Sequence, residues 1–151
     1  MTNIFNSLFR KDIKAFCEQF PALYMEITAC FGIDDSKRAK SYESWYHTFV
    51  LGALAMFHSN DYQVVSNCGT GKDLEVMRKL AREGLKQITN KNYRSNTASH
   101  IESIVEVAIA FNNKSTFVSA QCLQHKKGEK KGKLSTHDWE IVLSAESRLE
   151  G

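Results

Sequence analysis

No Cys-x-x-Cys pair occurs among the four cysteines, Cys17, Cys30, Cys68 and Cys122, so neither a zinc ribbon nor a small disulfide scaffold is indicated. A long apolar run is also missing. The longest, Phe49 to Phe57, falls far short of the roughly 20 residues that cross a bilayer as a helix. The opening residues, Met-Thr-Asn-Ile-Phe-Asn, lack the basic flank and apolar core of a signal peptide. An excess of one charge is absent too: a net +3 permits a nucleic-acid partner without arguing for one. These absences lead to the expectation of a cytoplasmic protein with reduced thiols and no membrane partner.

What is present suits one domain. A chain of 151 residues with 42% hydrophobic and 25% charged content can build a real core. From Ile4 to Phe31 the apolar residues Phe5, Leu8, Phe9, Ile13, Phe16, Phe20, Leu23, Tyr24 and Ile27 recur at helical spacing, and the single proline, Pro21, is expected to separate two helices. The phenylalanine stripe reads as core packing. Lys37 to His58 reads as a helix that becomes apolar all round, which is the pattern of a buried one. Gly52 in that helix suggests close approach to a sheet. Tyr62 to Ser66 reads as a short strand.

Asp73 to Lys91 forms an amphipathic pattern with Leu74, Met77, Leu80, Ala81, Leu85 and Ile88 on one side, and Asp73 is placed to cap it. The period then switches to two. Ile101, Val105, Val107, Ile109 and Phe111 alternate with Glu102, Glu106, Ala108 and Ala110; Asn112-Asn113-Lys114 turns the chain, and Ser115 to Cys122 returns as the second strand of a hairpin. His125 to Lys133 holds five lysines, two glycines and one glutamate and reads as an exposed loop. Residues 135–149 read as a final helix, capped by Ser135 or Thr136, that returns Trp139, Ile141, Val142 and Leu143 to the core.

Each chemical motif has a plainer competitor. Gly69-Thr70-Gly71-Lys72 is not a P-loop, because Ser66 stands where the first glycine belongs and Asp73 where a Ser or Thr follows the lysine. Glu43 and His47 share a helical face, but two ligands do not make a metal site. Asp73 suits magnesium as a carboxylate ligand, but its place as a helix cap already explains it. Lys126, Lys127, Lys130, Lys131 and Lys133 are the candidate nucleic-acid contacts. Cys122 and His125 form a lone Cys-x-x-His pair with no general base near in sequence.

The stretch Tyr42-Glu43-Ser44-Trp45-Tyr46-His47-Thr48-Phe49-Val50-Leu51-Gly52, then Tyr62 to Asn67, the glycine loop, the helix Leu74 to Ile88 and the hairpin strands Val107–Phe111 and Phe117-Val118 together resemble the nuclease-like domain of the PD-(D/E)XK superfamily filed as DUF1703, often attached to an AAA-ATPase-like domain. The resemblance covers residues 1 to 123 with an internal gap. It implies a mixed α/β fold with a restriction-endonuclease-like sheet and magnesium-dependent DNA cleavage, in which an Asp and a Glu-x-Lys triplet hold the metal and activate water. Glu43 matches the family's helical glutamate and Lys72 its basic loop residue.

The strand pair that carries the family's Asp and Glu-x-Lys has no counterpart, since Lys72 is followed at once by Asp73. The chain's one Glu-x-Lys is Glu129-Lys130-Lys131, inside the lysine segment. The expectation is therefore a reduced α/β nuclease-like domain over 1–151: N-terminal helices in 1–36, helix, strand, loop, helix and hairpin in 37–123, a lysine-rich loop in 124–134 and a C-terminal helix in 135–149. Its expected role is binding of DNA, or of a protein partner or a second copy through a sheet edge, with no cofactor. One alternative is an active magnesium-dependent endonuclease with a non-standard or dimer-completed site built from Glu43, Lys72 and Asp73, the metal on Glu43 and Asp73. Another is a chain left without specific function by internal deletion.

Overall fold

Thr116 to Leu123 is buried without interruption, and a strand buried on both faces needs a packed layer on each. The computed structural model, which describes residues 2–30, 48–49, 52, 73–98, 100–112, 115–126 and 139–149, supplies both layers. The fold is mixed α/β. Helices α1 (Thr2–Phe9) and α2 (Ile13–Cys30) lie on one face of a three-stranded sheet and α3 (Leu74–Asn90) on the other. The strands are β1 (Ser103–Asn112), β2 (Ser115–His125) and β3 (Trp139–Leu149), all antiparallel, with β2 in the centre.

The period-two pattern accounts for the two faces. Val105, Val107, Ile109 and Phe111 of β1 join Val118, Ala120 and Cys122 of β2 in a cluster with Phe5, Ile13, Phe16, Phe20 and Tyr24. The opposite set, Ala108, Ala110 and Phe117, packs on Met77, Leu80 and Ala81 of α3. Small residues on that face let the helix lie close. A Cβ added to Gly84 of α3 would stand 3.0 Å from the Ala108 Cβ, so this glycine is required by a close approach. Gly84→Ala gains about 1 kcal/mol of helix propensity and loses about 2 kcal/mol to overpacking against a neighbour that has no rotamer to change. The expected outcome is a net loss of about 1 kcal/mol in urea unfolding, although exposed glycines in helices normally gain from alanine.

Several expectations are corrected. The segment 135–149 does not form the C-terminal helix: Trp139–Leu149 is strand β3, paired with β2 from Thr116↔Leu149 to His125↔Trp139. A helix there would have left one side of a fully buried strand without backbone partners, a cost borne by every unpaired N–H and C=O. Pro21 does not separate two helices but lies inside α2, itself buried. The missing N–H and the ring clash cost about 3 kcal/mol, and the apolar face that continues through Phe16, Phe20, Tyr24 and Ile27 offsets it.

The helix break comes earlier, at Arg10–Asp12. Lys11 takes a left-handed φ of 62°, the Asp12 amide donates back to the Ser7 carbonyl at 2.8 Å, and the Asp12 carboxylate accepts from the Ala15 amide at 3.0 Å. Together they form a helix stop followed at once by an N-cap. Gly52 is exposed, and a Cβ there would meet nothing within 4 Å, so it does not mark a contact with the sheet. Thr48, Phe49 and Gly52 are helical as expected. The rest of the expected helix 37–58, the strand 62–66 and the glycine loop 69–72 lie outside the described residues.

Candidate functional site

Of the residues singled out for chemistry, Glu43, Lys72, His47, Lys127, Lys130, Lys131 and Lys133 lie outside the described residues. Asp73 is described. Its extended backbone (φ −139°) precedes α3, its carboxylate accepts from the Glu75 amide at 3.1 Å, and its carbonyl accepts from the Met77 amide at 2.8 Å. It is the N-cap of α3. Lys126 is exposed immediately after β2. Among the described residues no three of His, Cys, Asp and Glu gather into a metal-holding group, and no helix is long and apolar enough to cross a membrane.

Cys122 and His125 do not cooperate. Cys122 is buried in the cluster under α1 and α2, where burial pushes its thiol pKa up, whereas His125 packs edge-on against Trp139 with centroids 5.3 Å apart. Cys17 is pushed up to about 11, by burial first and the Glu146 and Glu18 charges next. Thiols held protonated in this way are poor nucleophiles.

Side chains of opposite charge do converge on the α3 side of the sheet. The chain leaves α3 through Asn92, whose left-handed φ of 56° starts a 3-10 turn over Tyr93–Asn96. That turn returns Arg94 to β1. Its guanidinium grips Glu106 at two points, Nε to Oε1 at 2.6 Å and Nη2 to Oε2 at 2.9 Å, and Nη2 also donates to the Thr89 hydroxyl at 2.9 Å. Gln121, opposite Glu106 in the hairpin register, donates its side-chain N–H to Glu106 Oε2 at 2.6 Å. The side chains of Arg94 and Glu106 are only 7% and 4% exposed.

The second pair lies nearer solvent. Arg82 donates from Nε and Nη2 to the two oxygens of Glu146, each at 2.9 Å, and the Ser119 hydroxyl donates to Glu146 Oε1 at 3.1 Å. The Arg82 hydrogen bonds hold the Glu146 carboxyl below its ordinary value, partial burial opposes this, and Ser119 adds to the lowering. A carboxylate whose folded pKa is depressed contributes stability that is complete above its unfolded pKa and is lost as pH falls through the folded one. On acidification from pH 7 to pH 3, wild type is therefore expected to lose more stability than Glu146→Gln, measured as the shift in urea midpoint. An identical shift in both proteins would show that the Arg82 link makes no contribution.

Both arginines, with Ser119, Gln121 and Glu146, line an open groove of about 820 Å³ between α3 and the β2–β3 face. Arg82, Leu85 and Lys86 form its helix wall, Arg94 closes one part, and Ser119, Gln121, Leu123, Trp139, Ile141, Ser144 and Glu146 form its floor and far side. Lys86 has no carboxylate partner among the described residues. The indole N–H of Trp139, a residue 5% exposed, is buried without a hydrogen-bond partner among them.

Beyond the groove runs the edge of the sheet. β3 has a strand neighbour on one side only among the described residues. Its register with β2 shifts between Cys122 and Leu123, which pair with Leu143 and Ile141, leaving Val142 as the extra residue of a bulge. Ile141, Val142 and Leu143 are 56%, 46% and 46% exposed. Three consecutive aliphatic side chains open to solvent, on a strand with one strand neighbour among the described residues, are unlike the scattered apolar exposure of an ordinary surface.

Sequence reasoning placed Asp73 and missed Glu106, Arg94, Glu146 and the β3 edge. A signal for the Glu106–Gln121 contact was available: a turn at 113–114 that pairs Asn112 with Ser115 also brings Glu106 opposite Gln121. No family model, characterised protein or solved structure matches the chain.

Proposed function

We propose that the chain is a catalytically inactive nuclease-like protein that works by binding a protein partner along the outer edge of β3. The observation that carries this reading is the exposed run Ile141-Val142-Leu143 on the strand that is outermost among the described residues. An open strand edge presents unpaired backbone donors and acceptors at the spacing another strand requires, and adjacent apolar side chains add area to be buried. The engagement of two carboxylates on the α3 side of the sheet supports the inactive part of the reading. Glu106 and Glu146 are each gripped by an arginine, which competes with a hard cation for their oxygens, and Asp73 uses one carboxylate oxygen in the cap of α3. Plasmid, single-stranded DNA and RNA incubated with magnesium or manganese are expected to remain intact. Cleavage that disappears in Asp73→Ala would overturn inactivity.

The partner surface is tested by placing a photo-crosslinking residue at position 142, or at position 79 on the outer face of α3, in the protein as expressed in its native cells. Protein adducts are expected from 142 and not from 79. Adducts to nucleic acid alone, or equal adducts from both positions, would overturn the reading.

A further inference from the structure

We infer that the partner segment taken by β3 is acidic and apolar, bound in extended conformation with its carboxylates over the α3 groove. The inference rests on the β3 reading above and adds the chemistry of what binds there. Ile141 belongs to both features: it is the most exposed aliphatic residue of the edge and also lines the groove. A strand added to β3 lies about 4.8 Å beyond it and sends alternate side chains to opposite faces of the sheet. On one face those side chains border the groove; on the other they border Leu143, which sits opposite the buried Cys122.

The two borders call for different side chains. The groove lining holds three cations, Arg82, Lys86 and Arg94, against one carboxylate, Glu146. Arg82 and Arg94 are satisfied by Glu146 and Glu106, which leaves Lys86 with no carboxylate among the described residues. A partner carboxylate reaching Lys86 completes that set, whereas a partner lysine meets the uncompensated charge of Lys86, a juxtaposition that discriminates against wrong partners more strongly than it raises affinity. The opposite border is aliphatic and favours apolar residues. The bulge at Val142 interrupts the regular edge, a device that discourages indiscriminate strand pairing and selects for a particular segment.

Two short synthetic peptides test this, one alternating valine with glutamate and the other valine with lysine, each labelled for fluorescence anisotropy against the full chain. The glutamate peptide is expected to bind at least about tenfold more tightly at low salt, a preference worth about 1.4 kcal/mol. Lys86→Glu is expected to erase or reverse the preference and Lys86→Met to reduce it, while Val142→Lys abolishes binding of both peptides. Equal binding of the two peptides, both lost in Val142→Lys, would overturn the charge inference and leave the edge reading standing. Failure of both peptides to bind would also overturn the inference, with crosslinks from position 142 reporting separately on the edge. A chain that is dimeric in solution and becomes monomeric in Val142→Lys would overturn it in favour of a second copy as the occupant, and preferential binding of a labelled oligonucleotide would do so in favour of nucleic acid.

Discussion

Arg94→Ala is expected to lower the unfolding free energy by about 3–5 kcal/mol, the cost of leaving one member of a buried ion pair uncompensated. Glu106 accepts two bonds from Arg94 and one from Gln121, and its side chain is 4% exposed. Without the guanidinium its charge has no solvent to replace what is lost. The arginine also ties the 3-10 turn after α3 to β1, so its removal frees the end of the helix that walls the groove. The double variant Arg94→Met/Glu106→Leu is expected to recover most of the loss, because apolar groups of similar volume avoid the desolvation penalty. Urea unfolding of the three proteins makes the comparison. A loss below about 1 kcal/mol for Arg94→Ala would place the pair in the class of solvated surface bridges and contradict its burial.

Phe20→Ala is expected to cost a similar amount, about 3–5 kcal/mol, by a different mechanism. Phe20 is fully buried, with ring centroids 5.3 Å from Phe16, 6.4 Å from Phe5 and 6.5 Å from Tyr24. These rings fill the space between α1, α2 and the sheet. Val76→Ala, on an exposed part of α3, serves as the reference and is expected to change stability by less than about 0.5 kcal/mol. Comparable losses in the two variants would mean that the aromatic cluster does not form the core.

How legible each element was depended on whether its cause is local. The β1–β2 hairpin was readable because alternation on both sides of Asn112-Asn113-Lys114 fixes face and register together. Helix α3 was readable because its apolar stripe and its cap at Asp73 lie within one continuous stretch. The boundary between α1 and α2 was misplaced because Pro21 is the louder breaker, while the stop at Lys11 and the cap at Asp12 are quiet. An aspartate directly before Ile13, Phe16 and Phe20 was the available signal.

β3 was misread for a deeper reason. Glu140, Leu143, Ala145, Glu146, Arg148 and Leu149 are competent helix formers, and what makes them a strand is the open side of β2, a tertiary demand that local propensity does not register. The charged pairs were hidden in the same way. Arg82 and Glu146 stand 64 residues apart, and only the sheet order brings them together.

The functional reading depends on β3 having one bonded side and one open side. In an antiparallel edge strand, alternate residues direct their N–H and C=O toward the neighbour and the rest direct theirs outward. Amide hydrogen exchange of the isolated protein, resolved residue by residue by NMR, tests this without any partner in hand. Slow and fast amides are expected to alternate along Trp139–Leu149, with the alternation interrupted at the Val142 bulge, while the central strand β2 is slow throughout. Uniformly slow exchange along β3, equal to that of β2, would mean that its outer edge is already covered, and would contradict the proposal that it waits for a partner.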